Sequence, residues 1–277
     1  MNLIEILKTI VFGIVEGFSE CLPISSTGHM ILLDEIIKLD VTPEFKDIFI
    51  TVIQLGAAAA IVVLYFKKLN PFDPRKKPAQ KKATWMLWFK IALACVPAAI
   101  LGFLVDDWVE EHLYNAFTVA VMLIVYGILL LVIEEKNKYK TPEITRLGQL
   151  SFQTAFYIGL FQVLALIPGT SRSGATILGA LILGCSRPVA AEFSFFLSIP
   201  VIFGASFLRI IKCGFDFSST EVVYLLVGSV TAFLVSMYSL RFFMNWIKKN
   251  NFKLFGYYRI ILGVIVLLWF GIRALIG

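Results

Sequence analysis

Apolar residues fall into runs of two kinds, and the difference between them sets the predicted architecture. Six runs are long enough to cross ~30 Å of hydrocarbon, which takes about 20 helical residues. They cover residues 48–66, 85–104, 116–133, 189–211, 221–243 and 256–276. The others are short or broken and occur in pairs. Residues 3–15 and Met30–Ile37 flank one polar knot, Glu16-Gly-Phe-Ser-Glu20-Cys-Leu-Pro-Ile-Ser25-Ser26-Thr27-Gly28-His29. Residues 148–167 and 175–184 flank a second, Pro168-Gly-Thr170-Ser171-Arg172-Ser173-Gly-Ala-Thr176. Irregular backbone at membrane depth survives only where it is buried in protein or lines a cavity. Each pair therefore predicts a re-entrant helical hairpin with a polar turn at its tip.

The second half repeats the first. A gap-free shift of 146 residues brings Gly13 onto Gly159, Glu16 onto Gln162, Ser25 onto Ser171 and Gly28 onto Gly174. It also brings Ile31 onto Ile177 and Leu32 onto Leu178. Each copy holds one hairpin and three spans, an odd number, so the copies are expected to lie in opposite orientations. Their tips then meet near the midplane, at the repeat interface where such architectures keep their sites. The predicted fold is an all-α polytopic membrane protein, with six transmembrane helices plus two re-entrant helical hairpins in an inverted-topology repeat. It is one membrane domain, 1–277: repeat one at 1–133, a cytoplasmic connector at 134–147 and repeat two at 148–277.

Composition agrees with that picture. Hydrophobic residues make up 58% of the chain and charged ones 16%, a balance that a soluble domain of this size does not carry. A net charge of +6 would admit a nucleic-acid partner, but its placement in short loops argues for membrane orientation instead. Lys67, Lys68, Arg75, Lys76, Lys77, Lys81 and Lys82 crowd one loop against a single Asp73, which places that loop inside. Lys136, Lys138, Lys140 and Arg146 fall on the same side, as do Lys248, Lys249 and Lys253. The acidic loop from Asp106 and Asp107 to Glu110, Glu111 and His112 falls outside, with Asp216 and Glu221. The polar linker Asp34–Asp47 holds five carboxylates and two lysines. The N-terminus lacks a basic start and a small-residue cleavage site, so the first segment is expected to be retained. Cys21, Cys95, Cys185 and Cys213 stand singly, without metal-ligand spacing, and read as small buried hydrophobes.

The two knots carry the chemistry. Glu16 and Glu20, four apart, share a helix face and repel unless a cation or a shared proton lies between them. A solvated helix end would explain them; so would a base beside a bound anion, or a seat for a divalent cation, Mg²⁺ or Ca²⁺. Helix capping accounts for one hydroxyl of Ser25, Ser26 and Thr27, not for all three beside Gly28. Free N–H groups, a glycine and hydroxyls make an anion cradle. His29 lies three residues from Ser26, a spacing that permits a nucleophile with its general base or acid. Arg172 lies within an apolar stretch, where snorkelling to the cytoplasmic face competes with a functional role. With Ser171, Ser173 and Thr176 around it, it describes a phosphate clamp. Glu192 either lines the site or pairs with Arg187.

EGFSECLPISSTGH and PGTSRSGAT resemble the two signatures of the undecaprenyl-diphosphate phosphatase family of the bacitracin-resistance type, and the spans match over essentially the whole chain. The resemblance implies hydrolysis of undecaprenyl diphosphate to undecaprenyl phosphate and inorganic phosphate in the bacterial inner membrane. That reaction recycles the lipid carrier for cell-wall synthesis and gives bacitracin resistance. Glu16 and Glu20 then stand in the family's acidic pair, Ser26 and His29 in its Ser/His positions, and Arg172 in its essential arginine. Glu16 occupies a place where the family accepts Glu or Gln. The expectation is that Glu20, Ser26, His29 and Arg172 are catalytic, and that Ser25, Thr27, Gly169, Ser171, Ser173 and Thr176 bind phosphate. Glu16 and Glu20 would seat the divalent cation. Either Ser26 or water attacks the terminal phosphorus. The expected partners are a long-chain prenyl diphosphate and the bilayer, not nucleic acid, with a homodimer left open. The site should face the outer side, because the first hairpin dips from there and carries the acids. A prenyl-phosphate transporter or flippase is the rival reading, since inverted repeats suit alternating access.

Overall fold

A computed structural model describes residues 2–214 and 216–276, apart from the side chains of Asp106, Glu110, Cys213 and residues 274–276. The expectations for Asp106, Glu110 and Cys213 lie outside the described side chains. The regular structure of the described chain is mainly α-helical: α1 (Leu3–Ser19), α2 (Ser26–Ile36), α3 (Pro43–Leu64), α4 (Phe66–Leu69), α5 (Pro78–Leu113) and α6 (Ala116–Lys136). A second series follows: α7 (Phe152–Val163), α8 (Arg172–Ile182), α9 (Arg187–Cys213), α10 (Ser219–Ile247) and α11 (Lys253–Ile276). Six of these, α3, α5, α6, α9, α10 and α11, are long and apolar enough to cross a membrane. The chain is a multi-pass membrane protein.

Helix ends follow capping chemistry more closely than hydropathy. α3 starts five residues before the apolar run does, because Thr42 accepts from Phe45 N–H at 3.2 Å and Pro43 sits at the first helical position. α10 opens on a capping box, in which Ser218 accepts from Glu221 N–H at 3.3 Å and Glu221 accepts from Ser218 N–H at 2.8 Å. The acidic stretch expected as a loop is the last part of α5. No glycine or proline interrupts residues 103–114, so the helix continues until Asn115 caps α6, accepting from Thr118 N–H at 2.9 Å.

The two halves lean on each other. α1 packs along α10, and α7 packs along α5, so each hairpin rests on a span from the opposite half. Small residues make these contacts close, as is common between membrane helices. A Cβ at Gly13 would lie 2.6 Å from Gly228 O, and one at Gly159 only 2.2 Å from Ala94 O. α3 packs against both α9 and α10, while α6 and α11 pair through Gly127 and Gly256, each against the other's carbonyl.

Ion pairs gather at the helix ends. Lys68 meets Glu192 at 2.6 Å, Arg187 meets Glu134 at 2.5 Å and Lys253 meets Glu135 at 2.5 Å, all at the lysine-rich end. Glu192 therefore does not pair with Arg187. The two lie five residues apart on α9, off the three-and-four spacing that brings helix side chains together. At the other end Asp34 meets Lys46 at 2.7 Å and Glu35 meets Arg273 at 2.9 Å, and Asp47 meets Arg209. In the basic loop the Arg75 guanidinium grips Asp73 and holds its carboxyl below the usual range.

Candidate active site

Both hairpins turn in the same way. Ser25 and Ser171 are the two non-glycine residues with positive φ among those described, at 72° and 70°. That conformation costs an L-residue about 1–2 kcal/mol. The serine hydroxyl recovers part of it by capping the helix that follows. Ser25 Oγ accepts from Gly28 N–H at 3.3 Å, and Ser171 Oγ accepts from Gly174 N–H at 3.1 Å. The polar knots thus become two matched turns, each opening onto a helix N-terminus.

The turns touch. Ser173 Oγ donates to Leu22 O at 3.0 Å across the gap between hairpins. Arg172 Nη2 donates to Glu20 Oε1 at 2.9 Å and its Nη1 to Ser194 O at 3.1 Å. Ser26 Oγ donates to the other oxygen, Glu20 Oε2, at 2.5 Å. Glu20 is only 8% exposed, so its charge is held by Arg172 rather than by water. Beside this trio lies a cavity of about 110 Å³, roughly a few water volumes at ~30 Å³ each. Its polar lining is Glu20, Ser26, Thr27, Gln54, Ser171 and Arg172, with Gly169 at the turn; Ile167, Val201, Ile202 and Ala205 form an apolar wall. Gln54 stands near the middle of α3, about 15 Å from either end at 1.5 Å per residue.

Other expected site residues are placed differently. Ser25, Ser173 and Thr176 are buried and occupied in holding the turns. Thr176 Oγ1 donates to Arg172 O at 2.9 Å and lies 2.7 Å from Ser194 Oγ. Thr27, Gly169 and Ser171 do face the cavity. His29 is not paired with Ser26. Its Nδ1 lies 2.7 Å from Ser25 O, which can only accept, so Nδ1 carries the hydrogen. Its Nε2 lies 2.6 Å from the Tyr258 hydroxyl, from which it accepts when the ring is neutral. Both ring nitrogens are taken, and Ser26 turns to Glu20 instead.

Glu16 is 0% exposed, and neither of its oxygens has a hydrogen-bond partner. Its repeat counterpart Gln162 is orphaned in the same way. A buried carboxylate without a donor calls for a cation or a proton. No group of three His, Cys, Asp or Glu suited to a metal occurs among the described residues. Two carboxylates would leave most of the shell of a hard divalent cation to hydroxyl, carbonyl or phosphate oxygens, and both oxygens of Glu20 are engaged by Ser26 and Arg172. Sequence reasoning passed over Gln54, Tyr258 and Arg259. A signal existed for two of them: an amide deep in an apolar span, and an arginine in the final one.

A sequence model of the family described as bacitracin resistance protein BacA matches residues 9–265. The undecaprenyl-diphosphatase of Desulfitobacterium hafniense is 58% identical over 278 residues, covering 100% of both chains. That of Enterococcus faecalis is 56% identical across 94% of this chain and 95% of its own. That of Streptococcus thermophilus is 54% identical across 99% and 96%. With both signatures converging on one cavity and similarity running the length of the chain, this protein belongs to the bacitracin resistance protein BacA family.

Proposed function

We propose that the chain hydrolyses undecaprenyl diphosphate to undecaprenyl phosphate and inorganic phosphate, recycling the lipid carrier for cell-wall synthesis and giving bacitracin resistance. One observation carries this reading: the Ser26 hydroxyl and the Arg172 guanidinium converge on the two oxygens of Glu20 in a small polar cavity inside a membrane bundle. A phosphate headgroup would sit in this cavity, and the apolar wall would leave the prenyl tail to lie among the helices. Relatives sharing more than half of the residues are named undecaprenyl-diphosphatase.

Cleavage of a phosphoanhydride is mostly a matter of positioning and of stabilising charge on oxygen. Arg172 supplies the fixed positive charge for the terminal phosphate, and Ser171, Thr27 and Gln54 supply donors around it. Glu20 takes the proton of Ser26 as its Oγ bonds to the terminal phosphorus. The bond from that phosphorus to the bridging oxygen breaks, and undecaprenyl phosphate leaves. Water then attacks the phosphoserine, releasing inorganic phosphate and returning the hydroxyl to Ser26. A divalent cation held by Glu16 and Glu20 would add positive charge beside the phosphate oxygens. His29 braces the first turn through Ser25.

The active site faces the outer side of the bacterial inner membrane in this reading. With the lysine-rich loops inside, α9 runs outward from Arg187, and the cavity wall at Val201–Ala205 falls in its outer part. Re-entry of both hairpins and opposite orientation of the two halves follow from the same loop charges.

The decisive measurement is phosphate release from a long-chain prenyl diphosphate by purified protein in detergent, with and without chelator. Release that disappears on chelation and returns with Mg²⁺ or Ca²⁺ is expected. No release with any divalent cation, while the lipid still binds, would sink the enzyme and favour transport.

A further inference from the structure

α11 sends two neighbouring side chains to the hairpin turns, and neither belongs to a polar knot. Tyr258 bonds His29. Arg259 goes deeper: it is 0% exposed, and its nitrogens all meet backbone carbonyls. Nη1 donates to Pro23 O at 3.2 Å in the first turn. Nη2 is shared by Gly169 O and Thr170 O in the second turn, both at 2.9 Å, and by Met122 O at 3.4 Å. Nε reaches Leu123 O at 3.5 Å, and the Tyr126 ring lies 5.5 Å from the guanidinium carbon. No carboxylate pairs with it among the described residues.

An arginine buried at membrane depth without a counter-ion is expensive, and such residues mark functional machinery. Here the cost is offset by a need. Turn carbonyls have no intrahelical partner, and leaving them bare inside a membrane protein is unfavourable. A planar guanidinium with five N–H groups can serve both turns at once, whereas an ammonium is a point charge with three. The carbonyl of Pro23 lies three residues before Ser26, and that of Thr170 two before Arg172. Whatever fixes those carbonyls to each other also fixes Ser26 against Arg172.

We propose that Arg259 is a positioning residue for the phosphatase reaction, clamping the two hairpin turns so that Ser26 and Arg172 meet at Glu20. The proposal rests on reading Ser26, Glu20 and Arg172 as the reactive set. It acts through geometry alone, since Arg259 itself does not line the cavity. Misplacing a reacting group by about 1 Å costs on the order of 100-fold in rate.

The test uses the full-length Arg259→Lys protein in detergent, with kcat and KM for phosphate release, the melting temperature and the size-exclusion profile. The expected result is a monodisperse protein whose kcat is down about 100-fold while KM stays within about threefold. A kcat near that of the wild type, or a change confined to KM, overturns the proposal. If Arg259→Lys yields no folded protein, Gly174→Ala decides. Its new Cβ would lie 2.8 Å from Arg259 Nη1 and 3.2 Å from Ser171 Cβ, so it displaces the guanidinium without removing its charge and also presses on Ser171, an effect that Ser171→Ala, run beside it, reads alone. A selective loss of kcat in Gly174→Ala beyond that of Ser171→Ala supports the clamp, and a kcat no lower than that of Ser171→Ala rejects it. Arg172→Ala run in parallel keeps the two ideas apart. Activity surviving in that variant discards the reactive set itself. Activity lost there but intact in Arg259→Lys discards only the clamp.

Discussion

Glu20 gives one oxygen to Ser26 and the other to Arg172, so substitutions around it should separate by the oxygen they disturb. Glu20→Gln keeps an acceptor but removes the charge that takes the serine proton. General-base losses run about 10²–10⁴-fold, and we expect kcat for phosphate release to fall in that range with little change in KM. Ser26→Ala should be as severe, and trapping of a phosphorylated protein in the wild type but not in the variant would identify the nucleophile. Turnover by Ser26→Ala near the wild-type rate would move the attack to water. Gln54→Leu tests a different part of the cavity. It removes one donor at nearly constant volume, worth about 0.5–1.5 kcal/mol, so KM should rise several-fold while kcat holds.

Arg172 was legible in the sequence because a charge inside an apolar run has few explanations, and its neighbours were hydroxyls. Arg259 offered the same signal but was hidden by its surroundings: Tyr257, Tyr258 and Ile260 flank it, and its partners are carbonyls from residues 89 to 236 positions away. No side-chain pattern announces a ligand made of backbone. The contacts of His29 were hidden for a related reason. Spacing placed it near Ser26, yet its partner Tyr258 lies 229 residues on, and the geometry of the serine was decided by Glu20.

At the scale of elements, the six spans were readable from hydropathy, while their ends were set by Thr42, Asn115 and Ser218. The mutual support of hairpin and span could not be read from periodicity, since it depends on glycines meeting carbonyls across the bundle. Gly159→Ala should therefore be costly. Its Cβ would fall 2.2 Å from Ala94 O, whereas a Cβ at Gly148 meets nothing within 4 Å. Overpacking of this kind costs roughly 1–3 kcal/mol. A lowered melting temperature for Gly159→Ala beside an unchanged one for Gly148→Ala is the expected pattern, and equal melting of the two would reject close helix contact as the reason for the glycine.

At the scale of the whole molecule, the orientation assigned from loop charge is open to direct labelling. Single cysteines placed at Lys77 and Glu111, in a background without the native cysteines, should react oppositely with an impermeant maleimide on intact cells. Glu111→Cys should label and Lys77→Cys should not, until the membrane is opened. The reverse result would turn the protein over and with it the side from which substrate enters.

The leaning of α1 on α10 also has a consequence in time. α2 ends at Ile36 and α10 at Ile247, so about 211 residues are made between the first hairpin and its support. At ~5–20 residues per second that is an interval on the order of 10–40 s. Glu16 and Glu20 enter that interval without Arg172, which is made partway through it, and Arg259 is still to come when it ends. The hairpin that carries the acids is made before the helix it rests on and before the arginines that hold its tip.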